Sequence, residues 1–179
     1  MAARAWPNAG HPLVTPQGSE ADPFLLMGSR GRHKTAVNQI KKLFLDYGVT
    51  NIKFADEMFV LNRKHVTAIC DGIIDAGMGD KLNIWAYARV DTCNDERLLF
   101  KLRAAGFRWL GIGIESASAH VRAGVEKGKF GNEDIKLALW RVKIAGINIA
   151  ANYIFGLPDD TFPSMQETLD MACDLNTEM

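Results

Sequence analysis

Charged side chains stand where short apolar runs end in this 179-residue chain. Asp56 and Glu57 close "NIKFADE" (51–57). Arg89 ends "LNIWAYARV" (82–90), with Asp91 just beyond. Glu115 and Ser116 close "WLGIGIES" (109–116). Asp159 and Asp160 follow "INIAANYIFG" (147–156). If these runs are parallel strands, their C-terminal ends share one rim, where α/β sheets bind ligands. Period-two alternation sorts the faces. Leu110, Ile112 and Ile114 share one face, and Gly111, Gly113 and Glu115 the other. Leu82, Ile84, Ala86 and Ala88 oppose Asn83, Trp85, Tyr87 and Arg89. Lys53, Ala55 and Glu57 share a face, as do Asn152, Ile154 and Gly156. One side of the sheet is thus aliphatic. The other offers glycines for close approach, aromatics for stacking and charges for orientation, which is what a concave ligand face needs.

Bland roles compete for some of these residues. Asp91 and Asp160 read first as caps of the helices that follow. Glu57, Arg89 and Glu115 sit on the strands proper and read as ligand contacts rather than mutual ion pairs. Cys70 and Cys173 fall on apolar helical stripes and read as core, and Cys93 as a loop residue. The three cysteines are too far apart for a compact zinc or iron–sulfur motif, so no metal site is assigned. His11, His33, His65 and His120 read as surface residues. "GIGIES" fails as a dinucleotide fingerprint because Ser116 stands at the third glycine position. No phosphate loop or nucleophile elbow occurs, which argues against an unrelated barrel enzyme acting on phosphates or sugars. No catalytic residue can be named.

Positioning those ends requires a series of elements. Residues 1–27 hold four of the six prolines and read as an irregular extension; 28–179 read as the folded domain. A helix carries Val37, Ile40, Leu43, Phe44 and Tyr47 up to Gly48. A second, capped by Asn62, carries Val66, Ile69, Cys70 and Ile73. A third opens at Asn94 and carries Leu98, Leu99 and Leu102. A fourth opens at Asn132 and carries Ile135, Ala138, Leu139 and Val142. A last one, with Pro163 in its first turn, carries Met165, Leu169 and Cys173. The strand–helix spacing is close to the roughly 31 residues per unit of an eight-fold barrel. The fold class is therefore α/β, a partial TIM-like barrel of about four parallel strands.

Acidic and basic residues number 21 each, so bulk charge suggests neither a nucleic-acid nor a membrane-surface partner. No apolar run approaches the ~18 residues of a membrane span. The N-terminus lacks a signal-peptide core, and a cytoplasmic setting is expected.

The ordered segments "IKFADEMFVLNRKHV", "WAYARVDT", "GIGIESASAHV" and "YIFGLPDDT" resemble the core of radical S-adenosylmethionine (SAM) enzymes. The resemblance runs from about Gly28 to Leu175 and is strongest to a subgroup that often carries an N-terminal cobalamin-binding domain. It implies strands two to five of a (βα)6 barrel that binds SAM, a small-molecule partner, across its strand ends. Glu57 matches the acid that holds the methionyl amine, although Ala55 and Asp56 replace the family's glycines. Glu115 and Ser116 match polar positions near the ribose and methionyl group. Arg89, or Lys127, could pair with the SAM carboxylate. Asn152, Ile154, Gly156 and Asp159 fall on the fixed positions of a G-x-I-x-G-x-x-E motif along the adenine; Ile154 and Gly156 match outright and Asp159 is conservative. The family also implies a [4Fe–4S] cluster held by C-x3-C-x2-C, whose electron cleaves SAM to start radical chemistry. This sequence has no such motif. The expectation is a truncated core, catalytically incomplete as this chain, with an unknown substrate. The alternative is a non-catalytic interaction module, or a fragment that pairs with a partner chain supplying missing strands.

Overall fold

The structure is a computed structural model, and it describes residues 32–56, 59–125 and 130–179. The extension at 1–27, Glu57 and Lys127 lie outside the described residues. Among the described residues six α-helices and four strands follow in order: α1 (Arg32–Tyr47), β1 (Asn51–Lys53), α2 (Arg63–Asp75), β2 (Asn83–Arg89), α3 (Glu96–Ala104), β3 (Phe107–Glu115), α4 (Ala119–Gly124), α5 (Asn132–Ile144), β4 (Asn148–Tyr153) and α6 (Phe162–Leu175). The strands form one sheet in the order β1-β2-β3-β4, every pair parallel. The expected α/β arc of four parallel strands is what the chain builds. Tyr87, Gly111 and Ala150 stand abreast, as do Arg89, Gly113 and Asn152. Among the described residues no helix is long and apolar enough to cross a membrane.

The aliphatic face is the core. Ile84, Ala86, Leu110, Ile112 and Ile114 are wholly buried against Ile69 and Ile73 of α2, Leu99 and Leu102 of α3, and Ile135 and Val142 of α5. Such burial stabilises by roughly 1.5–3 kcal/mol for each large aliphatic side chain. Gly106 makes the turn into β3 at φ +95, and a Cβ there would come 2.7 Å from the Gly79 carbonyl oxygen.

Several local expectations need correction. β1 stops at Lys53 rather than running to 57. Asn94 does not cap α3. It joins a 3-10 turn over Val90–Asn94, donating to the Asp91 carbonyl and accepting from Arg141. Asp95 caps instead, its carboxylate accepting from the Leu98 amide at 3.2 Å. Asn132 is likewise inside α5; Gly131 is the cap residue, its amide donating to Asp134 at 2.8 Å. Asn62 caps α2 as expected. Leu43 and Tyr47 on α1 are exposed, whereas Val37 and Ile40 are buried. On α6 the buried residues are Thr168 and Met171, not the Leu169–Cys173 stripe, and Cys173 is exposed. Cys93 is buried within the 3-10 turn, its thiol donating to the Arg89 carbonyl at 3.3 Å. α4, with Ser118 as cap, had no forecast at all.

Candidate functional site

The inward face of the sheet carries Lys53, Trp85, Tyr87 and Arg89, and Gly111 gives the aromatics room. A Cβ at Gly111 would lie 2.6 Å from Trp85 Cη2 and 3.0 Å from Tyr87 Cδ1. With only hydrogen there, the two rings lie across β3, edge to face with centroids 4.4 Å apart. Any side chain at this position would push them off the sheet.

Toward the strand ends this face opens into a cavity of about 390 Å³. Arg89 from β2, Gly113 and Glu115 from β3, and Asn152 with Ile154 from the end of β4 line it, together with the rings of Tyr87 and Phe130. Four residues predicted from sequence therefore meet at one place: Arg89, Glu115, Asn152 and Ile154.

Glu115 is delivered by a break in regular structure. The β3–β4 register shifts between Gly113 and Glu115, and Glu115 takes φ +69, a left-handed conformation that costs a non-glycine residue energy. The bulge re-aims the strand end, and Glu115 is only 6% exposed. Its carbonyl stays in the sheet, accepting from the Ile154 amide at 2.9 Å.

The segment after Glu115 is pinned from behind. The Ser116 and Thr168 hydroxyls are 3.1 Å apart, the Ala117 amide donates to Thr168 at 3.0 Å, and the Ser118 amide donates to Ser116 at 3.1 Å. Arg122 of α4 is fully buried. Its guanidinium donates to the carbonyls of Ser116 (2.6 Å), Ala117 (2.9 Å) and Phe130 (3.1 Å), while Nε has no partner. Burial pushes its pKa below the ordinary arginine value. Sequence reasoning missed Arg122 because α4 is too short to carry a recognisable period, and nothing in "HVRAG" marks its arginine as buried.

The remaining predicted residues sit elsewhere. Ser116 is wholly buried behind the cavity with its hydroxyl engaged. Gly156 and Asp159 are exposed in the loop after β4, at φ +79 and +66 respectively. That loop is organised by Asp160, which accepts from the Gly156 amide at 2.9 Å and from the Ser164 hydroxyl. Thr161, not Asp160, caps α6. Asp91 caps nothing either: its carboxylate takes a bidentate pair from Arg89 at 3.1 and 3.0 Å. This pair is part-exposed and worth at most about 1 kcal/mol, so a ligand carboxylate can still draw on Arg89.

The donor set suits a ligand that carries a cation and a carboxylate beside a planar ring: a buried acid, an arginine, an amide and two aromatic rings. It does not suit a metal cluster. Among the described residues no group of three His, Cys, Asp or Glu could hold a metal. Cys70 and Cys93 are sealed in the interior, where burial pushes each thiol up to about 12.

No protein-family model matches the chain. It is 31% identical over 147 residues to an anaerobic magnesium-protoporphyrin IX monomethyl ester cyclase of Cereibacter sphaeroides, an alignment covering 82% of this chain and 24% of the cyclase. Two solved structures resemble it in fold. The radical S-adenosylmethionine methyltransferase TsrM of Kitasatospora setae, with cobalamin and a [4Fe-4S] cluster bound, aligns with a TM-score of 0.72 at 21% identity, covering 81% of this chain and 27% of TsrM. Coproporphyrinogen III oxidase (HemN) of Escherichia coli, described as a radical SAM enzyme, aligns at 0.61 and 17% identity, covering 83% and 36%. The chain spans about a quarter to a third of the length of the curated relatives it matches.

Proposed function

We propose, for a chain whose homologues are radical SAM enzymes and whose sheet is part of their barrel, that the rim cavity binds S-adenosylmethionine. The observation that carries this reading is Glu115: a buried carboxylate, held at a strained bulge, facing a cavity with Arg89 on its wall. Glu115 would meet the cationic methionyl end and Arg89 the carboxylate. Asn152 and Ile154 would lie along the adenine, with the rings of Tyr87 and Phe130 against its faces or the ribose. Ser116 would act from behind, by fixing the strand end. Gly156 and Asp159 would shape the loop beyond Ile154. Glu57 enters by its motif alone, as the acid of the methionyl amine. When bound, SAM supplies a sulfonium that a reductant can cleave. The described cysteines do not fit a [4Fe–4S] cluster. We therefore read this 179-residue chain as a SAM-binding core that is catalytically incomplete by itself, in a protein family that uses iron–sulfur and sometimes cobalamin.

Calorimetric titration with SAM tests the binding. The wild-type chain is expected to bind, and Glu115→Gln to weaken binding at least about tenfold, as loss of a buried charge-assisted contact should. Equal affinities would remove Glu115 from the site, and no binding by wild type would end the reading. After reconstitution with iron and sulfide, the chain alone should develop no cluster absorbance and cleave no SAM; either signal would overturn the incompleteness. A second reading, pairing with a partner chain, is favoured by one feature: among the described residues β1 has no strand on its outer edge. A strict monomer in light scattering, alone and with candidate chains, would count against it.

A further inference from the structure

One part of the inward face is left over by the SAM reading. Lys53 is exposed, and its ammonium lies 4.3 Å from the centre of the Trp85 ring and 5.4 Å from that of Tyr87. No carboxylate or carbonyl pairs with it among the described residues. Three other lysines, Lys42, Lys101 and Lys136, each hold an aspartate or glutamate within 2.8 Å, and the ammonium of Lys81 stands farther from its ring, 5.9 Å from the centre of Phe44. A closed barrel interior is ordinarily filled by branched aliphatic side chains. Here β1 and β2 instead set a cation over two aromatic rings, and β3 gives up its side chain at Gly111 to make room. A lysine stem laid over rings merely for cover would not require that glycine.

The platform is continuous with the rim cavity, because Tyr87 and Gly111 belong to both. A molecule resting on it would touch whatever fills the cavity. We propose that Lys53, Trp85 and Tyr87 form the substrate subsite, and that the substrate it takes is a planar aromatic carboxylate. The ring packs on Trp85, beside the Tyr87 ring that borders the SAM cavity. The ammonium, held among the described residues by its cation–π contacts, swings on its flexible stem to the carboxylate. This deepens the SAM reading by naming a substrate class for the same site.

The test uses the whole 179-residue chain and three small probes: 1-naphthoate, the neutral 1-naphthalenemethanol and the cationic 1-naphthylmethylamine. Binding is followed by ligand-observed NMR, with SAM titrated in parallel. Naphthoate is expected to bind at least about fivefold more tightly than the alcohol, the scale of one part-exposed charge contact, and the amine more weakly still. Lys53→Gln should abolish the preference for naphthoate, and Lys53→Arg should keep it. Both variants change an exposed side chain and should fold. Naphthoate binding that is absent, or unchanged by Lys53→Gln, overturns the subsite. SAM binding should be unaffected by either variant. If SAM binds and the probes do not, the subsite falls while the SAM reading stands. If the probes follow Lys53 and SAM does not bind, the reverse holds.

Discussion

At the scale of single residues, the site depends on groups that tolerate cost for position. Glu115 accepts a left-handed backbone to face the cavity. Arg122 gives up solvent to hold three carbonyls around it. The cysteines have no comparable role. With their thiols raised to about 12, Cys70 and Cys93 stay protonated near pH 8 and carry almost no reactive thiolate. A disulfide-exchange reagent should therefore label Cys173 quickly and the other two only after denaturation; rapid labelling of Cys93 would show that the 3-10 turn opens. Asp160 gives a pH signature. Its carboxyl is held below the ordinary 3.8, first by the Ser164 hydroxyl and then by backbone amides of Gly156, Leu157 and Thr161. A depressed folded pKa contributes stability above the unfolded value, and that contribution is lost as pH falls through the folded one. The amide resonance of Gly156 should therefore shift on acidification below pH 3.8. Asp160→Asn should remove that transition.

At the scale of elements, the helix starts show how neighbours redirect local preferences. Asn94 and Asp95 are both good caps by type. Asn94 is taken by the turn after β2 and by Arg141, and Asp95 is left to cap α3. Asp95→Ala should cost about 1 kcal/mol in urea unfolding, and Asn94→Ala distinctly less; the reverse order would return the cap to Asn94. The face of α6 is set in a similar way. Thr168 turns inward because its hydroxyl satisfies Ser116 and the Ala117 amide. That polar anchor overrides the apolar period of Met165, Leu169 and Cys173. Thr168→Val keeps the shape and removes the anchor, and should cost about 1–3 kcal/mol. It should also weaken SAM binding, because the segment behind Glu115 loosens.

At the scale of the whole molecule, a four-stranded parallel sheet has two edges to manage. The β4 edge is met by the last residues of this chain: the Ala151 amide donates to the Met179 carbonyl at 2.8 Å, the Met179 amide to the Ile149 carbonyl at 3.2 Å, and the Ile149 amide to Glu178 at 2.8 Å. Deleting residues 177–179 should speed hydrogen exchange at Ile149 and Ala151 and leave the β2–β3 amides protected. Uniform loss of protection would mean that the tail supports the whole sheet.

The amino-acid sequence by itself determined the class of fold and the faces of its strands. Period-two alternation in "LNIWAYARV" and "WLGIGIES" separates a core side from a ligand side, because successive side chains on a strand must point opposite ways. It also brought forward Arg89, Glu115, Asn152 and Ile154, since parallel strands end on a common rim. Only the tertiary structure decided which rim residues face the cavity. Ser116 is turned inward by Thr168, fifty-two residues away in sequence, and Gly156 and Asp159 are carried outward on the loop that Asp160 ties. The glycines' room for close approach was legible, but the buried Arg122 and the seating of Lys53 over the Trp85 and Tyr87 rings were not. Lys53 meets its rings only when β1 pairs with β2, and Arg122 is held by carbonyls five to eight residues away in irregular segments that carry no period.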